Sequence, residues 1–157
     1  MKDKQIIKSM RDIRALAFHF LYVAEAFDYV ISMDEIVEMF RTGFNIEIDD
    51  DSKAAIIAFN VIDQREELDK NIEPLLKNWK LNRLGCCTRL ILRMSIWELL
   101  KKETPPSIII NEAIELAKCF AEKDSYKFIN GILDEICKKF NLCLEKKDII
   151  KDQPCED

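Results

Sequence analysis

The sequence predicts an all-α fold. Only three Gly and four Pro interrupt 157 residues, and apolar side chains recur at three-to-four spacing along most of the chain. Leu, Ile, Lys and Glu dominate the composition, as expected of helices joined by short loops. With 48% hydrophobic residues the chain has enough apolar side chain to close the core of one domain.

From Ser9 to Asp28 the residues Ile13, Leu16, Ala17, Phe20, Leu21, Ala24 and Phe27 repeat as a helix burying one face requires. Ser32 is placed to cap a second helix that begins near Met33 or Asp34, carries Ile36, Val37, Met39 and Phe40, and ends at Thr42-Gly43. The run Asp49-Asp50-Asp51-Ser52 reads as the start of a third helix with Ala55, Ile56, Phe59 and Ile62 inward. Negative charge favours the positive end of the helix dipole, so the run needs no catalytic explanation. A fourth helix is expected from Arg65 or Glu66 to Lys77, with Leu68, Ile72, Leu75 and Leu76 inward and a break or kink at Pro74.

Leu84, Cys87, Leu90, Ile91, Met94, Trp97 and Leu100 mark a central helix that stops before Thr104-Pro105-Pro106. Ser107 is expected to cap the next, with Ile110, Ala113, Ile114, Ala117 and Phe120 inward. Asp124 or Ser125 should cap the last, which carries Ile129, Ile132, Leu133, Ile136, Cys137 and Phe140 inward. Gly131 inside that helix costs about 1 kcal/mol relative to alanine, so a closely approaching backbone is expected there. The chain divides near Leu81 to Gly85 into halves, each long enough for a three-helix bundle, within a single domain over residues 1–144. Residues 145–157 are charged and read as a disordered tail.

Several function classes are disfavoured by composition. A net charge of -5 argues against a polyanion binder that uses its whole surface, so any nucleic-acid site must be a local basic patch. No apolar run approaches the roughly 20 residues that span a bilayer, and no secretory signal is visible, so a cytoplasmic protein without a membrane partner is expected. Six cysteines without a C-x-x-C pair, beside the single His19, give no zinc spacing. Cys86, Cys87, Cys119 and Cys137 read as reduced core thiols, and Cys143 and Cys155 as tail residues. No phosphate loop, metal-ligand spacing or nucleophile with a visible base is present, so neither an enzyme nor a cofactor is expected. His19 reads as a solvated or packing residue.

Binding has positive support. The N-terminal stretch is locally basic, with Lys2, Lys4, Lys8, Arg11 and Arg14 against Asp3 and Asp12. At about 100° per residue, Arg11, Arg14, Phe18 and Tyr22 fall within roughly 80° of one another on the first helix. Guanidinium groups beside aromatic rings suit single-stranded RNA, pairing with phosphates and stacking on unstacked bases. The competing reading packs Phe18 and Tyr22 beneath other helices. Asp124, Lys127 and Phe128 at the last corner form a second possible contact surface, and Arg83, Arg89 and Arg93 add charge along the central helix.

The blocks RDIRALAFHFLY (Arg11 to Tyr22), LGCCTRLILRMSIWELL (Leu84 to Leu100) and INEAIELAKCFAEKDSYKFINGILD (Ile110 to Asp134) resemble the NusB family of bacterial transcription antitermination factors. The last is the most specific, because it joins N-E-A-x-E-L-A-K to S-x-K-F-x-N-G-x-L-D at a fixed separation. The resemblance implies two three-helix bundles packed together, about seven helices in all, and a function without catalysis. It implies pairing with NusE, also a small-subunit ribosomal protein, and joint binding of the boxA element in nascent RNA, notably of ribosomal RNA operons, within the RNA polymerase antitermination complex.

The resemblance and the stripe on the first helix together make Lys8, Arg11, Arg14, Phe18, Tyr22, Arg93, Lys127 and Phe128 the residues expected to contact RNA, Phe18 by the stripe alone, and Tyr22, Thr88 and Asp124 those expected to contact the protein partner. The chain departs from the family pattern in having fewer N-terminal arginines, with Asp12 and Ile13 between Arg11 and Arg14, and in carrying Thr88 where some members have an acidic residue. Weak RNA binding without NusE is the expected consequence. Two other readings remain: the helical RNA-binding partner unit of a ribosomal RNA cytosine methyltransferase, and a homodimer that shields its RNA surface.

Overall fold

A computed structural model describes residues 5–142, and the tail expected at 145–157 lies outside them, as do Cys143 and Cys155. Seven α-helices account for most of the described residues, so the all-α expectation holds. The chain divides into two compact units between Glu67 and Leu68, earlier than the expected break near Leu81 to Gly85.

The first unit packs α1 (Met10–Ala26), α2 (Met33–Gly43) and α3 (Lys53–Asp63) against one another. Ser9 starts α1 by accepting the Asp12 N–H on its hydroxyl at 3.1 Å. Ser32 and Glu35 form a reciprocal capping box on α2, the Glu35 carboxylate accepting the Ser32 N–H at 2.7 Å. That hydrogen bond, with a second from the Ser32 hydroxyl, holds the Glu35 carboxyl below its ordinary range. Ser52 caps α3 as expected, while Asp50 turns back to Arg41 at 3.0 Å.

The inward face of α3 is not the expected one. Ala54, Ile57, Ala58 and Val61 are buried, whereas Ile56 and Phe59 are 50% and 59% exposed. Both faces of this helix are apolar, so spacing alone gave two equivalent stripes and packing against α1 selected one. A pair of two-residue strands, β1 (Gln5–Ile6) and β2 (Ile46–Glu47), was not expected; they lie parallel, Gln5 opposite Ile46 and Ile6 opposite Glu47. Phe20, Phe40 and Phe44 form a ladder from core to surface, with ring centroids 5.0 Å and then 5.2 Å apart.

The fourth helix, α4 (Arg65–Ile72), gives way to a 3-10 turn over Glu73–Leu75 at Pro74, which cannot supply a backbone donor. The second unit packs α5 (Cys86–Lys101), α6 (Pro106–Phe120) and α7 (Ser125–Lys139) together. Every residue from Leu90 to Trp97 is buried, so α5 is the central helix of its unit on all sides rather than on one stripe.

Three local expectations need correction in this unit. Pro106, not a residue after Ser107, opens α6, because proline's fixed φ and missing N–H suit the first helical position. Phe120 and Cys119 at the end of α6 are exposed rather than inward. Nothing lies within 4 Å of where a Cβ on Gly131 would stand, so no neighbouring backbone approaches this exposed glycine.

Candidate nucleic-acid interface

Lys8 precedes the Ser9 cap and is exposed, and Arg11 is exposed in the first turn of α1. Tyr22 is 48% exposed and lies eleven residues on, about 20° around the helix and roughly 16 Å along it from Arg11. Arg11 and Tyr22 thus share one solvent-facing line of α1, and Lys8 is exposed just before the helix begins.

The structure removes the other two members of the expected stripe. Arg14 and Phe18 are only 5% and 2% exposed, and the Phe18 ring stands edge-on to His19 at 5.6 Å. Phe18 therefore has no face to offer a base, and Arg14 is a buried cation. The buried arc of α1 is wider than its apolar positions alone indicate, which is why an arginine falls inside it. His19 is half-buried, and its Nδ1 donates to the Ala15 carbonyl at 2.6 Å.

Arg93 and Thr88 are corrected as well. Arg93 is 7% exposed, and its Nε and one Nη each donate to Asp69 of α4 at 2.7 Å. This fork-to-carboxylate pairing engages the guanidinium inside the unit, so its charge holds α5 to α4 rather than facing an RNA. Thr88 is 4% exposed in the first turn of α5 and presents no surface to a partner.

The corner between α6 and α7 is exposed as expected, but it is not built by the expected cap. Asp124 holds the N-cap position in the left-handed conformation, φ 64°, and its side chain accepts no capping hydrogen bond. Ser125 instead turns its hydroxyl and its N–H onto the Glu122 carbonyl. The Asp124 carboxylate is thereby left at the surface, 58% exposed and 3.8 Å from the Lys127 ammonium. Lys127 is exposed and Phe128 half-buried. Lys118 and Lys127 both lie over the Tyr126 ring, at 5.0 Å and 5.9 Å from its centre.

Sequence reasoning missed Tyr126 and Gly85. Lys118 and Tyr126 meet only across the corner, which leaves no local signal. Gly85, directly before α5, did carry one: a Cβ there would stand 2.7 Å from Glu122 Oε1, so glycine admits the carboxylate to the start of the helix. Desolvation, and secondarily the Glu122 charge, push the nearby Cys87 thiol above its ordinary value. Among the described residues no group of His, Cys, Asp and Glu is arranged to hold a metal ion, and no helix is long and apolar enough to cross a membrane.

Comparison with known proteins matches these elements over most of their length. The NusB family model matches residues 11–138. A transcription antitermination protein NusB of Staphylococcus haemolyticus is 41% identical over 128 residues, 82% of this chain and 98% of that protein. Its counterpart in Staphylococcus aureus is 37% identical over 130 residues, 83% and 99% of the two chains. Among solved structures, Thermotoga maritima NusB ("T. maritima NusB, P3121, Form 2") superposes with a TM-score of 0.72 at 32% identity, covering 84% of this chain and 92% of that one. A chain of the "Crystal Structure of a Plectonemic RNA Supercoil" gives 0.73 at 28% identity, with 83% and 95% covered. With the seven-helix order, the sequence blocks and these matches in agreement, the chain belongs to the NusB family.

Proposed function

We propose that this chain is a transcription antitermination factor that binds boxA-type single-stranded RNA together with NusE and has no catalytic activity of its own. The observation that carries the proposal is the exposed pair Arg11 and Tyr22 on α1 with Lys8 exposed just before the helix, inside or adjoining the family match and suited to phosphate pairing and base stacking. The names of the curated relatives support the antitermination role. The exposed corner at Asp124 and Lys127, with Phe128 beside it, is the proposed second contact surface, where a mixed-charge patch suits a protein partner as well as RNA.

Lys8 and Arg11 at α1 and Lys127 at the corner supply few phosphate contacts, and each contact contributes about 0.7 to the slope of log affinity against log salt for a single strand. The chain alone therefore binds boxA RNA weakly, and NusE adds contacts that tighten the joint complex. Titrating a boxA-type oligonucleotide with the chain alone and with its own NusE tests this. A gain of ten-fold or more with NusE is expected, and equal affinities would refute the joint-binding reading.

A further inference from the structure

A groove of about 260 Å³ opens beside the exposed line on α1, within the first unit. Its walls come from four elements: Ile7 after β1, Asp12 and His19 of α1, Phe40 and Phe44 of α2 and its cap, and Ile46 of β2. The Phe44 ring is 68% exposed yet firmly based. It rests at 36° on Phe40, which stands edge-on to the fully buried Phe20. Behind it the Phe44 N–H closes α2 on the Phe40 carbonyl at 3.2 Å, and Asn45 turns the chain at φ 52° into β2.

We propose that this groove receives one unstacked nucleobase of the RNA strand that crosses Arg11, with Phe44 as its stacking platform; the inference rests on the RNA-binding reading of α1. The volume lies just under the range of pockets for drug-sized ligands, which fits one ring system rather than a whole nucleotide. Lys8 and Arg11 are exposed next to the lining residues Ile7 and Asp12, so the flanking phosphates have cations beside the groove while the base enters it. The Asp12 carboxylate at the wall repels a phosphate and can accept a hydrogen bond from an N–H on the edge of the entering base.

The test uses the full chain and a boxA-type oligonucleotide in which each nucleotide in turn is made abasic. Phe44→Ala is expected to weaken binding roughly five- to 150-fold, the worth of one stacked base, with an unchanged salt slope and unchanged helicity, while Phe44→Trp retains affinity. One abasic position should cost the wild type the same factor and cost Phe44→Ala nothing further. Unchanged affinity in Phe44→Ala, or abasic profiles identical in the two proteins, overturns the base pocket. If Arg11→Ala still weakens binding in that case, the RNA-binding reading stands without it. If neither substitution affects RNA, both readings fall together. A Phe44→Ala defect confined to binding of the protein partner would assign the groove to that partner and also overturn the proposal.

Discussion

Arg11 and Arg14 lie three residues apart on the same helix, yet one faces solvent and the other is buried. Their substitutions should therefore act differently. Arg11→Ala is expected to leave thermal stability within about 0.5 kcal/mol of wild type and to lower the RNA salt slope by about 0.7, read from binding isotherms at several salt concentrations. Phe18→Ala opens a cavity at a site 2% exposed and should cost about 3 to 5 kcal/mol in denaturant unfolding, any loss of RNA binding following loss of fold. At the other corner, Glu122 helps raise the Cys87 thiol, so Glu122→Gln should bring that thiol nearer its ordinary value. Cys87 should then alkylate faster than wild type near pH 8, measured by mass mapping, and an unchanged rate would mean burial alone controls it.

Among the elements, α2 and α7 give opposite tests. The Glu35 carboxyl is held low by its bonds from Ser32, so the folded state favours its ionised form. The capping box thus contributes fully above the ordinary carboxylate range and is lost as pH falls through the depressed value. The acid side of the stability profile should therefore be less steep in Glu35→Gln than in wild type. On α7, a methyl group added at Gly131 would meet nothing within 4 Å, so Gly131→Ala should stabilise the protein by about 0.5 to 1 kcal/mol. Between α4 and α5, Asp69→Ala leaves the Arg93 guanidinium buried without this carboxylate and should cost about 3 to 5 kcal/mol. Where a helix carried one apolar stripe and a serine before it, as α1 and α2 do, its limits were readable to within a residue or two, although Phe27, expected inward on α1, is 50% exposed. Where it carried two stripes, as α3 does, or apolar residues nearly all round, as α5 does, periodicity was degenerate and only the neighbouring helices decided burial.

For the whole molecule, helix number and order were legible because Gly, Pro and capping residues punctuate long apolar repeats, while the division at Glu67 to Leu68 falls within α4, among residues that carry no break signal. The candidate site was legible only in part. Lys8, Arg11, Tyr22, Asp124 and Lys127 are exposed, but Phe18 is buried, as the competing reading of the first helix had it, and Arg14, Thr88 and Arg93 are buried because a polar residue enters a core through tertiary packing that no single helix records. The groove at Phe44 was invisible for the same reason: its walls come from segments separated by as many as 39 positions, from Ile7 to Ile46. If the Arg11 and Tyr22 line, with Lys8 before it, is the RNA face, removing its guanidinium and its ring together must loosen the complex. The deciding experiment is the affinity of the chain with its own NusE for boxA-type RNA, wild type against Arg11→Ala/Tyr22→Ala, across a salt series. At least ten-fold weaker binding and a shallower salt slope are expected, with helicity unchanged; superimposable curves would mean that RNA binds elsewhere.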